Sequence, residues 1–191
     1  NVAGPGFINV KINKNIILEL INKIKVENKN YGKNDQGIGK NALVEFVSAN
    51  PTGPLTVAHG RGAIVGDTVS RILEWNGYKV DREYYFNNAG RQMRILGESV
   101  KARYLNNCGI ETKFPDEGYQ GDYINDIAIS FKKIFDTKYI NEKDEEVFKN
   151  FAVDKIFGNI KNTLDTLKIN FDNYFNEDDL YKNNKLKETI D

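Results

Sequence analysis

Hydrophobic positions along the middle of the chain change period in a regular order. Leu43-Val44-Glu45-Phe46-Val47-Ser48 carries apolar residues on both faces, as a buried parallel strand requires. His59 to Asn76 follows as a predicted helix, with Val65, Val69, Ile72 and Leu73 as its buried stripe and Gly77 as its stop. Val80 to Phe86 reads as a second strand. Asn87 or Asn88 is placed to cap the next helix, whose inner face is Met93, Leu96, Val100 and Tyr104. Strand, helix, strand, helix with short joints predicts an α/β fold on a parallel sheet with right-handed crossovers.

The flanks differ. Gly4-Pro5-Gly6 is a turn, Phe7 to Ile12 a short strand, and Asn15 a cap for a helix over Ile16, Ile17, Leu20, Ile21 and Ile24. Asn28 to Asn41 is polar and holds Gly32, Gly37 and Gly39, which reads as a linker or mobile loop between two units. Residues 109–121 are irregular around Pro115, Gly118 and Gly121. Helical patterns then cover about 122–139 and 144–168, the second with Phe148, Ala152, Ile156, Ile160 and Leu164 inside. Ile169 to Phe175 is a third strand candidate, and Asp178 to Asp191 a polar helix.

Composition narrows the class. With 40% hydrophobic and 28% charged residues in 191, the chain can bury one good core and is not a disordered tail. No apolar run approaches the roughly 20 residues that span a bilayer, so no membrane role is expected. The single cysteine, Cys108, excludes an internal disulfide and a cysteine-cage zinc site, and suits a reducing compartment. Net charge is zero but graded: residues 1–40 carry 7 basic and 3 acidic side chains, residues 110–191 carry 12 and 18. The basic stretch Lys23 to Lys40 could touch phosphates, but it reads first as a solvated surface. The chain starts at Asn1 and its only methionine is Met93, which suggests a piece excised from a longer protein.

Candidate chemistry concentrates in residues 43–67: strand, Pro/Gly-rich loop, then a helix opening His59-Gly60-Arg61-Gly62. A helix N-terminus beyond the carboxyl end of a parallel strand is an anion site. Gly60, Gly62 and Gly66 let a ligand or a neighbouring strand approach the backbone. A dinucleotide fingerprint fails, because the third glycine would fall on Val65. A P-loop fails too: Gly32 and Gly37 have the right separation, but Ile38 follows. His59 is the only histidine. It could bond a nearby carbonyl, or its imidazole N–H could meet a phosphate oxygen whose charge grows in a transition state. Tyr84, Tyr85 and Phe86 read as sheet core rather than a base-stacking platform. Arg61 and Arg91 sit near helix starts, where phosphate contact and a structural role fit equally well.

Val44 to Arg61 closely resembles the signature strand and loop of arginyl-tRNA synthetases, with residues 49–59 where that family has its "HIGH" motif. The resemblance continues through Gly66-Asp67, Gly77-Tyr78, Arg82 to Tyr85, Asn87 to Gln92, Gly118 to Tyr123, Phe171-Asp172 and Glu177. Val2 to Asn9 is similar to the end of the family's N-terminal tRNA-contacting domain. Two departures stand out: Thr56 replaces the motif's first histidine and Ala58 its glycine. Asn88 stands where the family often has aspartate.

The resemblance implies a Rossmann-like class I synthetase sheet with a helical insertion at about 110–168. It divides the chain into residues 1–27 from the N-terminal domain, a linker over 28–41, and a partial catalytic domain over 42–191. It implies ATP-dependent activation of L-arginine and transfer to tRNA(Arg) by a cytoplasmic monomer. Mg2+ accompanies ATP as substrate, with no metal site of the protein's own. The implied ATP contacts are Ala49, Asn50, Pro51, Thr52, Gly53, Pro54, Leu55, Thr56, Val57, Ala58, His59, Gly60 and Gly62, with His59 and Thr56 catalytic. The implied arginine contacts are Glu45, Ser48, Asn50 and Glu177. The family's lysine-rich second ATP loop is missing from the chain, so the chain alone is expected not to aminoacylate. The rival expectation is a non-catalytic paralogue that binds ATP or tRNA.

Overall fold

A computed structural model describes residues 1–183 and 188–189. At the N-terminus, β1 (Val2–Ala3) and β2 (Phe7–Ile8) form a two-stranded antiparallel ladder, shorter than the strand expected to run to Ile12. Helix α1 (Lys14–Glu27) follows. Its cap is Asn13 rather than Asn15, because the Asn13 side chain accepts the Asn15 N–H. No residue of α1 is buried, so its apolar stripe is exposed. Residues 34–37 are tied to the end of a later helix: the Asn34 and Gly37 N–H groups donate to the Trp75 and Asn76 carbonyls.

The site is positioned by a parallel sheet in the order β3 (Asn41–Glu45), β4 (Lys79–Phe86), β5 (Asn173–Asn176). β3 stops earlier than the apolar run suggested. Val47 and Ser48 take positive φ values of 65° and 45°, and the Ser48 N–H turns back onto the Phe46 carbonyl. For a β-branched valine that conformation is strained, so the strand cannot continue through it. β5 starts four residues later than expected, with Ile169 buried ahead of it.

Helix α2 (Val57–Trp75) buries Ala63, Gly66 and Ser70, not the stripe expected from its branched residues. Val65, Val69 and Ile72 are exposed. The reason is close packing: a Cβ on residue 66 would lie 2.2 Å from Cγ of Phe46. Small residues therefore face the sheet and Phe46 fills the gap. The Ser70 hydroxyl is satisfied by the Gly66 carbonyl at 2.9 Å.

Helix α3 (Gly90–Asn107) buries Met93, Leu96, Val100 and Tyr104, as its period predicts. Its cap is Ala89, and Asn87, two residues earlier, accepts the Ala89 N–H at 2.7 Å. Helices α4 (Asp122–Phe135) and α5 (Glu146–Thr166) pack against it through Ile124, Phe131, Phe148 and Ile160. The same core reaches the sheet where Phe157 of α5 meets Tyr84 and Phe86, with ring centroids 5.8 Å and 4.6 Å apart. Helix α6 (Asp178–Lys182) opens the polar segment expected to be helical; residues 184–187 and 190–191 of it lie outside the described residues.

Candidate functional site

The carboxyl ends of β3, β4 and β5 lie side by side, which is where parallel sheets place ligands. Side chains alternate across β4. Tyr84 points into the core and is fully buried among Phe157, Phe171 and Tyr174. Tyr85 takes the other face and stacks on Phe175, rings 5.7 Å apart and 11° from parallel. The expected aromatic core of residues 84–86 thus splits, and Tyr85 joins the site.

Four of the expected site residues gather around this end of β4. The Ser48 hydroxyl donates to the Glu45 carboxylate at 2.5 Å and accepts the Tyr85 N–H at 3.2 Å. The strained turn at Val47 and Ser48 makes that reach possible. Asn50 accepts the Asn87 N–H at 2.9 Å and donates to Gln92 at 3.2 Å, fixing the loop against the start of α3. Glu177 donates its N–H to the Phe86 carbonyl at 2.9 Å. Burial, then the Glu177 carboxylate, raises the Tyr85 pKa. Glu45, Glu83 and Glu177 give this end of the sheet an anionic character that suits a cationic group.

The loop over 49–55 is held by two tyrosines. Tyr84 accepts the Ala49 N–H at 3.2 Å and donates to the Ala49 carbonyl at 2.8 Å. Tyr123 of α4 donates to the Thr52 carbonyl at 2.7 Å, and its ring lies against Gly53. Pro51 is fully buried and Leu55 packs on the core, whereas Pro54 is exposed. The loop is thus held at Ala49 and again at Thr52.

Thr56 and His59 form a second cluster, at the start of α2. The Thr56 N–H donates to Nδ1 of His59 at 3.0 Å, in a reciprocal capping box. A backbone N–H can only donate, so Nδ1 is the acceptor and the neutral ring carries its proton on Nε2. That leaves Nε2–H as a donor beside the first N–H groups of the helix. Val57 and Ala58 are exposed on this turn. A Cβ on Gly60 or Gly62 would meet nothing within 4 Å, so these two glycines open on free space while Gly66 is taken up by Phe46. Arg91 pairs with Glu117, both largely exposed, and Arg61 is exposed.

Tyr85, Tyr123 and Gln92 are the residues that sequence reasoning did not single out for the site. The alternation of β4 was the available signal for Tyr85. Nothing local signals Tyr123, because its partner lies 71 residues away. Among the described residues, no three His, Cys, Asp or Glu side chains could together hold a metal ion. No helix there is long and apolar enough to cross a membrane.

The family model described as tRNA synthetases class I (R), catalytic domain, matches residues 20–183. The arginine–tRNA ligase of Desulfotalea psychrophila is 48% identical over 189 residues, covering 99% of this chain and 34% of that protein. The arginine–tRNA ligase of Prosthecochloris aestuarii is 50% identical over 183 residues, covering 95% and 33%. A solved Campylobacter jejuni chain described as an arginyl-tRNA synthetase superposes with a TM-score of 0.80 at 34% identity, covering 92% of this chain and 40% of its own. The chain therefore spans about a third of the length of the curated relatives it matches.

Proposed function

Since the chain belongs to the family of class I (R) tRNA synthetase catalytic domains, we propose that it forms the arginine- and ATP-binding part of an arginyl-tRNA synthetase. The observation that carries this reading is the gathering of Glu45, Ser48 and Glu177 at the carboxyl ends of the sheet, Ser48 bonded to Glu45 and to the Tyr85 N–H, and Glu177 held on the Phe86 carbonyl. Beside them a helix begins with His59 held in one tautomer.

In this reading arginine lies over the ends of β3 and β4. The Glu177 carboxylate receives the guanidinium fork, for which a planar pair of acceptors is the matching partner. Glu45, Ser48 and Asn50 hold the amino-acid end. ATP follows the loop over 49–55 into the start of α2, where backbone N–H groups and the open space at Gly60 and Gly62 receive phosphate. Magnesium arrives on the ATP phosphates as part of the substrate.

The arginine carboxylate attacks the α-phosphorus and pyrophosphate leaves. Positioning supplies much of the rate, because both reactants are held in line. Nε2–H of His59 donates to phosphate oxygens as their charge grows. A hydroxyl of the terminal ribose of tRNA(Arg) then attacks the carbonyl of the arginyl-adenylate and AMP leaves, in the cytoplasm. Thr56 serves through its backbone N–H, which sets the imidazole whatever its side chain does.

The test is Glu177→Gln in the protein extended to the length of its relatives. KM for arginine should rise at least ten-fold, the loss of a charge-assisted pair, with KM for ATP unchanged. Unchanged arginine kinetics would remove Glu177 from the pocket. ATP binding without any amino-acid activation would favour the non-catalytic paralogue.

A further inference from the structure

We propose that Gln92 is a positioning residue, which holds the amide of Asn50 in the orientation that meets the amino-acid end of the substrate. The inference rests on the reading of Asn50 given above and goes beyond it. Asn50 is held at both ends of its amide. Its Oδ1 accepts the Asn87 N–H at 2.9 Å, and its Nδ2 donates to Oε1 of Gln92 at 3.2 Å. The first bond decides which end is which, because a backbone N–H can only donate. The second stops the amide from swinging about the first. One lone pair on Oδ1 and one N–H on Nδ2 then remain for a ligand. A free amino acid presents a cationic ammonium and an anionic carboxylate, which need an acceptor and a donor in fixed places.

The start of α3 leaves Gln92 free for this task. Gln92 is the third residue of the helix, after Ala89 as cap. A glutamine there characteristically reaches back to the N–H of the cap residue. In this chain the Asn87 side chain takes the Ala89 N–H instead, at 2.7 Å. Gln92 crosses to a residue 42 positions earlier, and this is the one side-chain bond it makes among the described residues. Asn87 and Gln92 thus hold Asn50 as a pair, one through its backbone N–H and the other through its side-chain carbonyl. Gln92 is exposed, so its side chain fills no part of the core. Methionine at this position keeps the length of the side chain and removes the acceptor. The Asn50 amide is then held at one end alone, and arginine must order it on binding.

The test uses the protein extended to the length of its relatives, with Gln92→Met, Gln92→Glu, Asn50→Ala and the double variant of Asn50→Ala with Gln92→Met. KM for arginine and for ATP is read in tRNA arginylation, together with thermal unfolding. Gln92→Met should raise KM for arginine about five-fold, as for one lost neutral hydrogen bond, with KM for ATP and the unfolding temperature unchanged. Gln92→Glu, which still accepts from Asn50, should rescue most of that effect. The double variant should match Asn50→Ala alone, because Gln92 acts only through that amide. If Asn50→Ala raises KM for arginine and Gln92→Met does not, the inference about Gln92 fails and the reading of Asn50 stands. If Asn50→Ala leaves KM for arginine unchanged, the reading of Asn50 itself fails. A further rise in the double variant, or no rescue by glutamate, overturns the inference. So does an equal rise in both KM values, or lost folding, in Gln92→Met, which marks a purely structural residue.

Discussion

The hydroxyl of Tyr123 donates to the carbonyl of Thr52 across 71 residues of sequence, at 2.7 Å. It ties helix α4 to the loop that receives ATP in the proposed function. Gly53 makes room for the ring, since a Cβ there would come within 3.1 Å of the phenol oxygen. The segment between β4 and β5 is thereby joined to the site itself as well as to the core.

Tyr123→Phe should loosen the loop without unfolding the chain. Losing one neutral hydrogen bond corresponds to about 1 kcal/mol, so KM for ATP should rise about five-fold with KM for arginine little changed. Steady-state kinetics with each substrate varied in turn checks this. Equal effects on both substrates would place the bond outside ATP binding.

His59→Ala should lower kcat by about 10²–10³-fold, the scale of losing one donor aimed at developing charge. Thr56→Ala should lower it far less, because the backbone N–H that holds Nδ1 remains. Its main cost should be about 1 kcal/mol of stability from the lost helix cap. Single-turnover rates and thermal unfolding of both variants separate the two roles.

Gly66→Ala should destabilise the fold by about 1–3 kcal/mol, the usual cost of overpacking. The new methyl would fall 2.2 Å from Cγ of Phe46, close to the ring's attachment rather than its free edge, so the strand itself must move. Gly60→Ala, with open space around it, should leave stability within about 0.5 kcal/mol or raise it. Denaturant unfolding of both variants gives the comparison.

Burial raises the pKa of Tyr84 to about 12, against the bond from the Ala49 N–H to the phenol oxygen, which pulls it down. The unfolded chain releases this proton near pH 10 while the native state keeps it, so stability falls as pH rises. The contribution is complete below pH 10 and is lost as pH climbs through 12. It amounts to about 2–3 kcal/mol. Tyr84→Phe should flatten the slope of unfolding free energy between pH 10 and 12. An identical slope in the variant would show that Tyr84 does not titrate in that window.

The order of elements was legible because each strand and helix carries its own period. α3 and α5 bury the residues their spacing names. α2 misled, because its largest apolar residues face outward. A hydrophobic stripe predicts the buried face only when the partner surface has no large group of its own, and Phe46 is such a group. The end of β3 was hidden for a different reason. Val47 favours a strand by propensity, and the tertiary bond from Ser48 to Tyr85 holds it out of one.

The site divides in the same way. Glu45, Ser48, Asn50 and Glu177 were expected from resemblance, and the structure places them around one end of β4. The tautomer of His59 follows from a local capping box and was within reach of the sequence. Tyr85 required knowing which face of β4 is the core. Tyr123 required the packing of α4, which no local pattern encodes.

The most direct measurement of the central claim is ATP-dependent transfer of arginine to tRNA(Arg) by this chain extended to the length of its relatives. The account predicts charging that requires ATP and is specific for arginine over lysine. A folded protein that binds ATP but charges no tRNA with arginine would contradict it.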